Sequence, residues 1–107
     1  EATAKVLVRR SPEVISIVAM GDGGEIRSDE DEQCAMCLRN LIQGRRPDRG
    51  AVRTLVLAGG ESQKYDDPTL SHFHPKDREI ALRIDSVPFA IRVRRREGLL
   101  VARPEPV

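Results

Sequence analysis

The chain has 107 residues, a formal net charge of +1 and one third of its residues charged. That balance excludes the strong positive field of a dedicated nucleic-acid binder, and the length fits one domain, or a piece of one, with a modest core. Phe73, Phe89 and Tyr65 are the only large aromatic residues, too few for a platform on which single strands stack.

No apolar run approaches the ~18–20 residues that cross a bilayer, and no signal peptide is recognisable. Cys34 and Cys37, three apart on an expected helix, look like reduced thiols rather than a disulfide framework. The expected location is the cytoplasm, with neither membrane nor nucleic acid as partner.

Glu1–Arg10 reads as the later turns of a helix, basic at its C-terminal end and stopped by Ser11-Pro12. It has no cap of its own, so the chain is expected to start inside an element of a longer protein. Val14-Ile15-Ser16-Ile17-Val18-Ala19-Met20 is short and rich in β-branched residues, which predicts a buried strand. Gly21-Asp22-Gly23-Gly24 then lets the backbone leave that strand. Ser28 and Asp29, with acidic residues three positions on, predict a capped helix from about Asp29 to Gln43. Cys34, Ala35, Leu38, Leu41 and Ile42 share one face of it, and Gly44 is its natural end.

Arg45–Gly50 is a basic loop, read as a solvated connection. Ala51–Ala58 is ambiguous: Thr54-Leu55-Val56-Leu57 alone would pass for a strand, while Val52, Leu55, Val56 and Gly59 fit a helical stripe. The helix, with Asp48 as its cap, is the preferred reading. Gly59-Gly60 breaks this helix, Glu61–Tyr65 forms one more turn, and Asp66-Asp67-Pro68 is a turn. Pro75 starts a helix through Ile84 that is expected to bury Ile80, Ala81 and Ile84. From Pro88 the pattern alternates, with Phe89, Ile91 and Val93 on one face and Ala90, Arg92 and Arg94 on the other. Glu97-Gly98 predicts a turn and Leu99–Ala102 a partner strand, with Pro104 and Pro106 in a frayed end. The fold class is mixed α/β with a terminal β-hairpin.

Asp22, Glu25, Asp29, Glu30, Asp31 and Glu32 cluster around the glycine loop. Such carboxylates suit a hard cation such as magnesium, which takes oxygen ligands and shares a phosphate. The plainer reading is that acidic residues in a first turn complement the helix dipole. Cys34-Ala35-Met36-Cys37 has redox spacing, but both thiols are expected inside the helix as small hydrophobes. His72 and His74 read as incidental residues of a surface loop. For Arg92 and Arg94–Arg96, protection of an edge hairpin from foreign strands outweighs a phosphate or nucleic-acid contact.

At Gly21…Glu30-Asp31-x-x-Cys34-Ala35 the sequence resembles the 2-phosphosulfolactate phosphatase family, whose members carry a strand ending in Gly and a Glu-Asp-x-x-Cys-Ala segment opening a helix. Glu1-Ala2-Thr3-Ala4 is similar to the Ala-rich helix before that strand. Phe73-x-x-x-Asp77, Asp85-x-x-Pro88-Phe89-Ala90 and Gly98-Leu99-Leu100-Val101-Ala102-Arg103 are similar to the C-terminal end of bacterial members. The family is longer, with an Asp-Val-Leu-Arg-Ala-Thr-like segment and a threonine-rich loop upstream, and Met36 replaces a Gly that often follows Cys-Ala.

The resemblance implies that residues 1–107 are the C-terminal portion of a single three-layer α/β domain whose N-terminal half is absent. It implies a magnesium-dependent phosphatase acting on 2-phosphosulfolactate, a step of coenzyme M biosynthesis in archaea, or on a related small hydroxy-acid phosphate. Activity is not expected without the N-terminal half. Glu30 and Asp31 would be the catalytic and magnesium-binding residues, Gly21 and Gly24 would shape the substrate loop, and Arg27 would hold a substrate anion. The missing half, or a second copy of the chain, would be the protein partner. The alternative is a non-catalytic interaction domain derived from that fold.

Overall fold

Five α-helices and one two-stranded antiparallel sheet make up the computed structural model, which describes residues 1–107. They form two compact units, one of Glu1–Ile15 with Asp85–Val107 and the other of Ser16–Ile84. The mixture of helix and strand agrees with the expected class in its coarse form.

In the first unit, helix α1 spans Ala2–Arg10 and ends as its sequence predicts. Ser11 turns left-handed at φ 46°, its N–H reaching the Leu7 and Val8 carbonyls, and Pro12 cannot continue the helix. Strands β1 (Phe89–Arg96) and β2 (Leu99–Pro106) pair in one register, from Phe89 opposite Pro106 to Arg96 opposite Leu99. Only Glu97-Gly98 separates them, at φ 50° and 81°. Positive φ at both central residues is the hairpin turn whose twist matches its strands.

Pro104 and Pro106 do not lie in a frayed end. They belong to β2, opposite Ile91 and Phe89, because each strand of a two-stranded sheet has an open edge where a missing N–H costs no ladder bond. Helix α1 packs on β1, and Ala4, Val6 and Ala90 are the buried apolar residues. The face carrying Ala90 therefore supplies the buried position, while Ile91 and Val93 on the other face remain 60% and 55% exposed.

The second unit holds helices α2 (Asp29–Ile42), α3 (Arg49–Ala58), α4 (Gly60–Gln63) and α5 (Pro75–Ala81), with a 3-10 turn over Lys64–Asp66. Gly44, at φ 76°, ends α2: its N–H bonds the Leu41 carbonyl, and the Arg45 N–H bonds that of Asn40. This pair of bonds is a Schellman motif. Asp48 caps α3 by accepting from the Ala51 N–H at 3.0 Å, as the sequence predicts. Asp67 makes a turn onto Thr69, whose N–H its carboxylate accepts at 2.8 Å.

Three expectations are corrected. Val14–Met20 forms neither strand nor helix, and Val14 and Val18 are 79% and 72% exposed. A segment of strand-forming residues cannot become a strand without a neighbour to take its N–H and C=O groups. Helix α5 stops at Ala81, and Ile80 and Ala81 are exposed rather than buried, with Ile84 half-buried beyond its end. Cys34 on α2 is exposed and Cys37 half-buried, with no disulfide between them, so only Cys37 approaches the expected packing.

Gly44→Ala should destabilise the chain by about 1 kcal/mol, because a Cβ is unfavourable at positive φ. Gly60→Ala, inside a helix with open space around the added carbon, should be neutral or slightly stabilising. Paired urea titrations of the two variants measure the contrast.

Candidate functional site

The candidate residues lie on one loop and the helix start that follows it. Gly21 takes φ 67°, and a Cβ there would run into the Ile26 carbonyl oxygen. Asp22 and Ile26 pair as an isolated antiparallel bridge, with N···O distances of 2.9 and 3.1 Å. Gly23 and Gly24, also at positive φ, form the tip between them. Glycine is needed at each bend because a side chain would strain this backbone.

The Gly21 N–H ties the loop to helix α2 by donating to Asp31 Oδ2 at 2.8 Å. Ser28 occupies the N-cap with extended backbone, but it makes no side-chain cap bond. Its buried hydroxyl instead donates to Glu30 Oε1 at 2.7 Å. The expected capping box is therefore replaced, with the carboxylate three residues on reaching the glycine loop and not the cap residue. A negative charge in this first turn also complements the exposed N–H groups of the helix.

Arg27 forks onto Glu32, its Nη2 donating to Oε2 at 2.7 Å and its Nε to Oε1. That hydrogen bond, with the attraction of the guanidinium, holds the Glu32 carboxyl below its ordinary range and raises Arg27 in turn. Asp29 packs against Gly59, where an added Cβ would lie 2.9 Å from the Asp29 Cβ. The turn between α3 and α4 thus lies directly against the start of α2. Lys64 pairs with Glu61, and its ammonium is raised above the usual range mainly by that hydrogen bond. Glu61, Asp22 and Glu30 add charge attraction.

Asp31 and Gly21 are thus joined directly, Glu30 lies one residue away beside Ser28, and Arg27 is engaged by Glu32. Gly24 stands at the exposed loop tip. Lys64 and Gly59 reach this site from a stretch whose sequence reads only as a break and a turn. The Gly-Gly pair was the available signal, since a small residue marks a close approach as well as a break.

Asp22, Glu30 and Asp31 are the hard oxygen donors that magnesium takes. However, no group of three or more His, Cys, Asp and Glu side chains is arranged to hold a metal ion. Asp31 and Glu30 each spend a carboxylate oxygen on a bond within the chain.

His74 caps α5 through Nδ1, which accepts from the Lys76 N–H at 3.1 Å, so it has a local structural task. His72 packs beside Phe73, with ring centroids 4.3 Å apart. Lys64 Nζ lies 5.0 Å from the centre of the Phe73 ring, within cation–π range. Comparison of the chain with models of known protein families, with curated proteins and with solved structures finds no match. No helix is long and apolar enough to cross a membrane.

Two outcomes follow for the loop. Gly21→Ala should destabilise by more than about 1 kcal/mol, since both φ and the Ile26 carbonyl oppose a Cβ, which chemical denaturation measures. Because the Glu32 carboxyl is lowered, the stabilisation from its pairing is full above its ordinary value of 4.5 and is lost as pH falls through the lowered value. Thermal melts on the acid limb should show a loss that Glu32→Gln makes shallower.

Proposed function

We propose that this chain is the C-terminal part of a magnesium-dependent phosphatase of small hydroxy-acid phosphates, similar to the 2-phosphosulfolactate phosphatases. In this reading the two units belong to a larger three-layer α/β fold located in the cytoplasm. The observation that carries the reading is the Glu30-Asp31-x-x-Cys34-Ala35 segment, which opens α2 directly after a closed glycine loop. The resemblance rests on that segment and its ordered agreement with the C-terminal residues; the strand that precedes the loop in the family is not formed over Val14–Met20.

Glu30 and Asp31 would act at the magnesium and phosphate site, with the remaining ligands supplied from outside these residues. Magnesium is commonly held by one or two carboxylates together with water and substrate phosphate, so two carboxylates are a sufficient contribution from this part. The Gly21–Asp31 bond would set the loop's shape, and Gly24 would leave its tip open to a ligand. Arg27 would meet a substrate anion by exchanging its Glu32 partner for a phosphoryl or sulfonate group, both of which fit its planar fork.

The test is phosphate release from 2-phosphosulfolactate by the full-length protein, with and without magnesium. Asp31→Asn keeps an acceptor for the Gly21 N–H but removes the charge, and should lower kcat by roughly 10²-fold or more. Glu30→Gln should do likewise. Near-normal turnover in both removes these residues from the site, and no magnesium-dependent release from the parent protein removes the phosphatase reading.

One observation favours the second reading, a non-catalytic interaction domain. Val14, Val18 and Met20, and Ile91 and Val93 of the hairpin, are all more than half exposed. Ile91 and Val93 leave the same face of the hairpin, and a contiguous apolar face of that kind is where another chain would dock.

A further inference from the structure

Arg92, Arg94 and Arg96 alternate along β1, so all three leave the same face of the hairpin, about 7 Å apart along the strand. Arg103 stands directly opposite Arg92, and like charges placed so oppose sheet formation. With Arg10 from α1 these residues line a groove of about 360 Å³, in which Glu105 is the single carboxylate. Arg10 holds Glu105 at 2.6 Å and Arg92 reaches it at 3.5 Å, and these partners keep its carboxyl below the ordinary range. Arg94, Arg96 and Arg103 form no ion pair.

We propose that this groove binds a small anion bearing two or more phosphoryl groups. Guanidinium groups recognise phosphoryl oxygens through paired N–H donors, and their long stems let neighbours on a strand converge on one ligand. Val101 and Pro104 give the groove an apolar floor, which strengthens charge attraction above it. Its volume is at the lower end for small-molecule sites. No aromatic ring lines it, so it has no surface on which the bases of a nucleic acid stack. Edge protection alone does not account for an arginine placed opposite another arginine, because alternating signs would guard an edge without that repulsion. A bound polyanion relieves it.

The experiment is calorimetric titration of the chain with inorganic pyrophosphate at low ionic strength with a chelator present. One site per chain is expected, weakening as salt rises. Arg94→Gln with Arg96→Gln should weaken binding by about tenfold or more, the scale of lost charged hydrogen bonds. Arg95→Gln, which removes the same kind of charge from the opposite face of β1, should leave it within about twofold. If the double variant does not fold, Arg103→Gln is compared with Arg95→Gln on the same terms.

Absence of binding overturns the proposal. So does an equal loss in Arg95→Gln, equal affinity for orthophosphate, or tighter binding of a single-stranded oligonucleotide. The groove uses none of the residues of the proposed phosphatase site. The titration requires neither magnesium nor turnover, so the two proposals fail separately.

Discussion

Very little apolar surface is covered by the chain's own elements, and this shortage shapes everything else in it. Ala4, Val6 and Ala90 are its buried apolar residues, and no large side chain is fully buried. Burial of apolar surface is the dominant favourable contribution to folding, so with so little of it the elements lean on polar connections. Glu105 gathers Arg9, Arg10 and Arg92 in one unit. In the other, Arg78 reaches back from α5 to the Ser62 carbonyl at 2.8 Å and to both oxygens of Asp66 at 2.7 Å. Paired donors of this kind fix orientation as well as distance. Each such connection joins elements that a larger core would otherwise hold.

The acidic loop illustrates the same economy. Six carboxylates within eleven positions look like an unbalanced charge when read along the chain. In three dimensions Arg27 takes Glu32, while Lys64 takes Glu61 and stands close enough to Asp22 and Glu30 to be affected by them. Asp31 spends its charge on a backbone N–H. Much of the local charge is therefore answered inside the chain, and a ligand arriving at the loop would compete with these partners.

Legibility in the sequence followed the range of the forces involved. The end of α1 at Ser11-Pro12, the Asp48 cap, the Gly44 terminus and the Glu97-Gly98 turn depend on one or two residues each, and all were readable. Val14–Met20 was not, because a strand requires a neighbour and the pattern of its own side chains cannot say whether one is present. Ile80 was misread for a similar reason: helical spacing identifies a face but not what covers it. At the site, the Gly-rich loop and the acidic helix start were legible. The approach of Gly59 and Lys64 was not, since it depends on how α2 meets the turn between α3 and α4.

The division of the chain into units has a consequence for its folding. Helix α1 comes first and the hairpin it packs against comes last, with the whole of residues 16–84 between them. As the polypeptide emerges from the ribosome, α1 is made long before β1 and β2. Closing the intervening chain costs entropy that grows with the length still disordered. If residues 16–84 fold first, less disordered chain is left to close between the helix and its hairpin. Slow or faulty folding of the middle would then delay a helix–hairpin pair with which it shares no element.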